Sequence, residues 1–233
     1  MIILKCKKTE ETCQRLRDLM PRSLRDKKIA LNMGNSELKK DYSKYLLLNN
    51  PEAVKRAVNK KKMFEVLEDN RINCLKYMDI EYLKGKAEAV VSLFSGKEIV
   101  LRDGGDIKVI TASELRELYN PKWKYATIKE NKLLEYRFVV FRDKILRAMV
   151  KANAKGDFRV KQENSEFRMI DITKIPEDAI NNIIKSVKCL GLDLAGVDVL
   201  LNMKDEFKII EVNSGMALSP RSIKRLYKAV KEI

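Results

Sequence analysis

Apolar residues recur at strand spacing twice within residues 191–215, GLDLAGVDVLLNMKDEFKIIEVNSG. Ala195 to Leu201 and Phe207 to Asn213 are rich in β-branched and large apolar side chains. The polar run Asn202 to Glu206 separates them, so a β-hairpin is expected. With its turn centred on Lys204-Asp205, Asp198 falls opposite Glu211 and Gly196 opposite Asn213. Side chains alternate along a strand, which puts Asp198, Glu211 and Asn213 on one face. Val197, Val199, Ile210 and Val212 share the other. An ordinary hairpin with a solvated acidic face has this same pattern. Leu200 and Ile209, however, fall beside the acids, so that face is expected to be covered, and covered acids need partners. Two directly opposed carboxylates repel. Magnesium between them would remove the repulsion, since it is held by one or two carboxylates together with phosphates and waters. An amide oxygen at Asn213 and open space beside Gly196 fit that arrangement.

Helical spacing marks three further stretches. Residues 52–69 carry Ala53, Ala57, Phe64 and Leu67 on one stripe behind Asn50-Pro51, which predicts one helix with an N-cap and a first-turn proline. Residues 177–190 place Ile180, Ile183, Ile184, Val187 and Leu190 on a stripe, with Pro176 at the first turn and Gly191 as the stop. Ser219-Pro220 opens a last helix with Ile223, Leu226, Tyr227 and Val230 buried. At the start of the chain, strands are expected at 1–7 and 28–33. A helix opened by Thr9-Glu10-Glu11 lies between them, with Cys13, Leu16 and Met20 on its stripe. A hairpin is expected from Ala89–Leu93 and Glu98–Leu101, followed by a turn at Asp103–Asp106, a short helix at 113–119 and a strand at Trp123–Ile128. A clear hairpin turns at Arg142-Asp143 within residues 135–150.

Composition narrows the chemistry. With 45% apolar residues in 233, the chain is globular, and its apolar runs are too short to span a membrane. Cys6, Cys13, Cys74 and Cys189 form no CxxC pair and no signal peptide is visible, so a reducing cytoplasm is expected. There is no histidine, which excludes histidine triads, histidine metal sites and imidazole acid–base chemistry. A net charge of +15 attracts polyanions. With only 7% aromatics and no aromatic-rich basic strand, nucleic acid is expected to bind non-specifically at most.

LDLAGVDVLL followed by IIEVNSG resembles the metal-binding end of the ATP-grasp ligases, in particular the RimK-like glutamate-ligase branch. The resemblance implies an α+β ATP-grasp fold, two α/β lobes clamping ATP. The boundaries are a small N-terminal lobe at 1–50, a first ATP-grasp lobe at 51–124 and a C-terminal lobe with the metal site at 125–233. It implies that Asp198, Glu211 and Asn213 hold Mg2+ (or Mn2+) bridging ATP phosphates. Residues 59–67, NKKKMFEVL, are similar to the family's helix pattern N-K-x-K-x-F-x-x-L, which implies phosphate contact by Lys60. The resemblance also implies adenine recognition by backbone at Tyr125 to Ile128 and ribose contact by Glu130 or Glu135. Ala154 to Arg159 resembles the family's E-G-D-F-R-S-N, which implies that Arg159 binds the transferring phosphate, a role its charged fork suits. LNMGNS at 31–36 resembles a W-G-N-S segment of phage-type members.

Four departures stand out. The phosphate-covering loop has one glycine, in Phe94-Ser95-Gly96-Lys97, with Lys97 offering the missing charge, and Ser92 stands where the family has a cation. Lys161 replaces the family's asparagine. Gly215 to Leu218 replaces S-P-G-L. The implied reaction joins a carboxylate to an amine through an acyl-phosphate, on a small-molecule or peptide substrate of acidic character. Two rivals are a nucleotide-binding pseudoenzyme of the same fold and a basic nucleic-acid-binding protein.

Overall fold

The structure is a computed structural model and describes residues 1–6, 9–79, 98–102, 107–111, 114, 125–130, 132–152, 166–202 and 204–233. Strands β1 (Ile2–Lys5), β2 (Ile29–Met33) and β3 (Leu46–Leu48) form a parallel sheet in that order. Every residue of β2 is buried, as a central parallel strand covered on both faces must be. Helix α1 (Glu10–Asp18) buries Cys13 and Leu16, but it ends before Met20, which leaves the expected stripe. Thr9 does not cap α1; its hydroxyl donates to the Met33 carbonyl at 3.0 Å and so links the ends of the first two strands. Pro21 opens a short helix, α2 (Arg22–Arg25).

The single helix expected over 52–69 is two. Helix α3 (Pro51–Val58) and helix α4 (Lys60–Asp69) meet at Asn59, whose backbone is extended at φ −82°, ψ 103°. The Asn59 side chain accepts a hydrogen bond from Lys62 N–H at 3.1 Å, an N-cap that competes with helix continuation. Lys60 is therefore the first residue of a new helix. Next come β4 (Tyr77–Asp79), β5 (Glu98–Arg102), β6 (Ile107–Thr111) and β7 (Tyr125–Ile128), an antiparallel sheet in the order β4-β7-β5-β6. Both edges of β5 are taken, so its hairpin partner is β6. The segment Ala89–Leu93, expected in that place, lies outside the described residues, as do Asp103–Asp106 and all of 113–119 but Glu114.

The centre of the molecule is a five-stranded antiparallel sheet of β8 (Lys132–Phe141), β9 (Lys144–Ala152), β10 (Glu166–Met169), β11 (Leu194–Asn202) and β12 (Phe207–Asn213), in the order β10-β9-β8-β11-β12. Helix α5 (Glu177–Cys189) follows Pro176 and is ended by Gly191 at φ +75°, a left-handed position suited to glycine. Helix α6 (Pro220–Lys231) is capped by Ser219 and buries Ile223, Leu226, Tyr227 and Val230, as its spacing predicts. One face of the sheet, including Phe138, Val140, Ala195, Val197 and Val212, packs under α3, α4 and α5. The other face, including Val139, Met149 and Leu194, packs against α6 and the N-terminal sheet with α1.

The β11–β12 hairpin keeps the expected pairs Gly196–Asn213 and Asp198–Glu211. A bulge follows at once, and Val199 then faces Ile209. An added residue shifts the alternation beyond it, so Ile209 shares the side of Val199 rather than that of the acids. The turn holds because Asp205 adopts φ +59° and the Asn202 side chain accepts from Lys204 and Glu206 N–H at 2.9 and 3.0 Å. Segment 73–75 covers the outer edge of β12: Ile209 N–H donates to Asn73 and Leu75 N–H donates to Ile209.

Candidate functional site

The apolar cover on the second face of the sheet reaches Val139; two residues along β8, the strand carries Arg137. Arg137 is the cross-strand partner of Asp198 on β11, and Asp198 is the partner of Glu211 on β12. Arg137 Nε and Nη2 donate to the two Asp198 carboxylate oxygens at 2.6 and 2.7 Å, a bidentate pair. From the start of α4, Lys60 donates to Glu211. Four charges thus form one row, positive, negative, negative, positive, across three strands and a helix end. The Arg137 guanidinium also lies 4.9 Å from the Phe167 ring centroid.

Asp198 is 6% exposed. Burial pushes its carboxyl up, while the Arg137 hydrogen bonds and charge pull it back toward ionisation. Burial works against the Arg137 charge, but Asp198, then Glu135 and Glu211, outweigh it and hold the guanidinium above its ordinary value. Burial also pushes Glu211 up; Lys60, a hydrogen bond from Asn213 and the Arg137 charge together bring it below the usual range. Each acid therefore has its own cation.

A second set of pairs continues the face. Leu200 has Glu135 on one side and Lys208 on the other. Lys151 donates to Glu135 at 3.1 Å. Lys208 donates to Glu130 at 2.6 Å, and Asn202 donates to the other Glu130 oxygen at 3.3 Å. Burial lowers Lys208, but Glu130 and Glu206 outweigh it and hold the ammonium above its ordinary value. The hairpin turn is thereby tied to the segment directly after β7.

Among the sequence candidates, the fold brings Lys60, Asp198, Glu211 and Asn213 together. Glu130 and Glu135 lie on the adjoining pairs. Tyr125 and Ile128 bound β7, which is flanked by β4 and β5, and Ile128 N–H donates to the Lys76 carbonyl at 3.1 Å. Lys97 and Arg159 lie outside the described residues, as do Ser92, the loop at 94–97 and Lys161. The space expected beside Gly196 is filled: a Cβ there would meet Met216 Sδ at 3.1 Å. Arg137, Lys151 and Lys208 were not singled out from sequence. An arginine inside the apolar run Tyr136 to Val140 is the signal for the first.

The donor set suits a hard cation: two carboxylates one strand apart and an amide. Among the described residues no three His, Cys, Asp or Glu side chains gather into a self-sufficient metal cage. A cation here would need further oxygen ligands from a bound phosphate or water. No helix of the described residues is long and apolar enough to cross a membrane.

Residues 112–228, just over half of the chain, match the family model of a RimK-like ATP-grasp domain. No curated protein matches. Among solved structures, the chain is similar to the ATP-grasp ligase PsnB complexed with minimal precursor, at 16% identity and TM-score 0.61 over 81% of this chain and 64% of that one. It is similar to the macrocyclase MdnC from Microcystis aeruginosa MRC bound with precursor peptide MdnA, at 14% identity and TM-score 0.57 over 80% of this chain and 64% of that one. It is also similar to D-alanine–D-alanine ligase from Bacillus anthracis complexed with ATP, at 12% identity and TM-score 0.65 over 100% of this chain and 91% of that one. At these identities the likeness is one of fold, and the chain spans 64% of the length of PsnB and of MdnC.

Proposed function

Because the chain belongs to the RimK-like ATP-grasp family and has its α+β fold, we propose that it is an ATP-dependent ligase joining a carboxylate to an amine. The observation that carries this reading is the row Arg137, Asp198, Glu211, Lys60. Its two acids and two cations are matched one to one. That arrangement can be re-matched when a metal–nucleotide arrives. Magnesium (or manganese), when bound, would neutralise phosphate oxygens. Asp198, Glu211 and Asn213 would hold it, which releases Lys60 and Arg137 to the phosphate oxygens. An arginine fork and a lysine ammonium suit those oxygens and lower the cost of the charge that moves during transfer. In this reading two lobes close on ATP, 51–124 and 125–233 with 1–50 beside them, except that β7 pairs between β4 and β5 and so goes with the first lobe. Lys97 and Arg159 approach the phosphates, residues 125–128 the adenine, and Glu130 or Glu135 the ribose.

The chain has no histidine to form a phosphohistidine, and in this reading the terminal phosphate passes straight to the bound carboxylate. The P–O bond to ADP breaks as the bond to the carboxylate oxygen forms, and the amine then displaces phosphate. The substrate is a small molecule or a peptide; PsnB and MdnC, whose folds are similar, are each described with a precursor peptide. The test is ADP release in the presence of hydroxylamine with panels of carboxylic acids and peptides. A hydroxamate with ADP supports the reading. AMP formation contradicts the route, and ATP binding without turnover across the panels makes the protein a pseudoenzyme.

A further inference from the structure

The exposed positions of α6 are cationic on every turn: Arg221, Lys224, Arg225, Lys228 and Lys231. The helix contains no acid, and none of these five forms an ion pair among the described residues; Glu232, just beyond its end, is engaged by Lys144. Like charges three and four residues apart destabilise a helix by about 0.2–0.5 kcal/mol per pair. A cation in the first turn, as at Arg221, also opposes the helix dipole. Lys228 and Lys231 in the last turn suit the dipole, but the like-charge pairs and the first-turn Arg221 do not stabilise the helix.

Arg147 makes the same point from the sheet. It is half-buried, and its guanidinium donates to the Ser219 and Ser222 hydroxyls at the start of α6 and contacts Met169 Sδ at 2.7 Å. Among the described residues it has no carboxylate partner. Burial, then the charges of Arg221 and Arg225, lowers it from its ordinary value. A half-buried arginine held against two other arginines lacks an anion. Its cross-strand partner is Val139, two residues along β8 from Arg137, and Ser219 lies six residues beyond Asn213. The cationic surface therefore begins beside the charged row and runs outward along α6. From Arg221 to Lys231 it extends about 15 Å at 1.5 Å per residue. An extended peptide rises about 3.3 Å per residue, so a few alternate side chains could face the cationic turns.

Resting on the peptide-substrate reading above, we infer that the outer face of α6, with Arg147 at its head, is the docking surface for an acidic segment of that substrate. A helix width of cations suits one extended acidic chain. No aromatic side chain is exposed on α6 to stack a nucleic-acid base.

The test measures binding of a labelled oligoglutamate peptide, its glutamine counterpart of equal length and a single-stranded oligonucleotide of equal charge, by fluorescence anisotropy at physiological salt. Four proteins are compared: the unaltered chain, Lys224→Glu/Lys228→Glu, Arg147→Gln, and Lys174→Glu/Lys188→Glu. The last makes the same charge change near and on α5, across the sheet. Folding is checked by thermal unfolding, and magnesium–ATP binding is measured alongside. The expected result is oligoglutamate binding about tenfold tighter than oligoglutamine, a gap of ~1.4 kcal/mol. It should be lost in the α6 variant, weakened in Arg147→Gln and nearly retained in the α5 control. Equal loss in the α5 control would reduce the effect to net charge and overturn the inference. Tighter, α6-dependent binding of the oligonucleotide would overturn it in favour of nucleic acid. Docking that depends on α6 in a protein that fails to bind ATP would leave this surface standing and sink the ligase reading instead.

Discussion

Arg137 and Asp198 stand directly opposite each other on β8 and β11, joined by two hydrogen bonds of 2.6 and 2.7 Å. The aspartate is 6% exposed, so its charge has almost no water to fall back on. Removing one member of such a pair strands the other. Arg137→Met is expected to destabilise the metal-free protein by about 3–5 kcal/mol, whereas Arg137→Met/Asp198→Leu should recover most of that loss. Urea unfolding of the three proteins measures both numbers. A single variant as stable as the parent would contradict the pairing.

The neighbouring pair predicts a pH dependence. Glu211 has its folded-state carboxyl below the ordinary value near 4.5, because Lys60, Asn213 and Arg137 outweigh burial. A depressed acid contributes stability above its unfolded pKa, and that stability is lost as pH falls through the folded value. Asp198, pushed up by burial, works in the opposite sense, so the Glu211 contribution is isolated by comparison with a Lys60 variant. The stability contributed by Glu211 should therefore be lost as pH falls below about 4.5, and Lys60→Met should remove that part of the pH dependence. Denaturant midpoints collected from neutral pH downward give the slope. Parallel curves for the two proteins would exclude the Lys60–Glu211 coupling.

How much of this was legible in the sequence depends on the range of each interaction. The Asp198–Glu211 pair expected from a turn centred on Lys204-Asp205 is observed, but the pairs nearest the turn, Leu201–Phe207 to Val199–Ile209, stand one residue off that register, and the bulge after Asp198 restores it. The caps at Asn50 and Ser219 are local and present. The bulge after Asp198 is not legible, because an inserted residue leaves the local apolar pattern intact and only the partner strand reveals it. Asn59 sits at helical spacing, so its side-chain cap emerges only in three dimensions. Arg137 is separated from Asp198 by 61 residues, and neither strand alone predicts that they are neighbours. Lys151 and Lys208 have the same reason for being missed: their acids lie on other strands and segments.

The helix break supplies a third prediction. Asn59 both caps α4 and sets Lys60 at its first turn. Asn59→Ala should cost about 1 kcal/mol of stability, the usual loss for an N-cap. It should also weaken nucleotide binding, because the backbone that aims Lys60 relaxes. Thermal unfolding with ATP titration separates the two effects. A stability loss with unchanged ATP affinity would detach the break from the site.

Packing of the second core supplies a fourth. The Tyr227 hydroxyl of α6 donates to the buried Leu16 carbonyl of α1, and burial raises the Tyr227 pKa. Tyr227→Phe leaves that carbonyl unpaired and should cost about 1–3 kcal/mol. The melting temperature should fall while the affinity for magnesium–ATP stays the same, since both groups lie in the core beneath α6 rather than in the charged row.

The most direct test of the central claim is calorimetric titration of a non-hydrolysable ATP analogue, with and without magnesium, into the unaltered protein and into Glu211→Gln and Asp198→Asn. The account predicts that magnesium tightens binding to the unaltered protein by about tenfold or more, at least ~1.4 kcal/mol, and that either substitution removes most of that gain. Equal affinity with and without magnesium in all three proteins would contradict the assignment of Asp198 and Glu211 to the metal, and with it the proposed re-matching of the charged row.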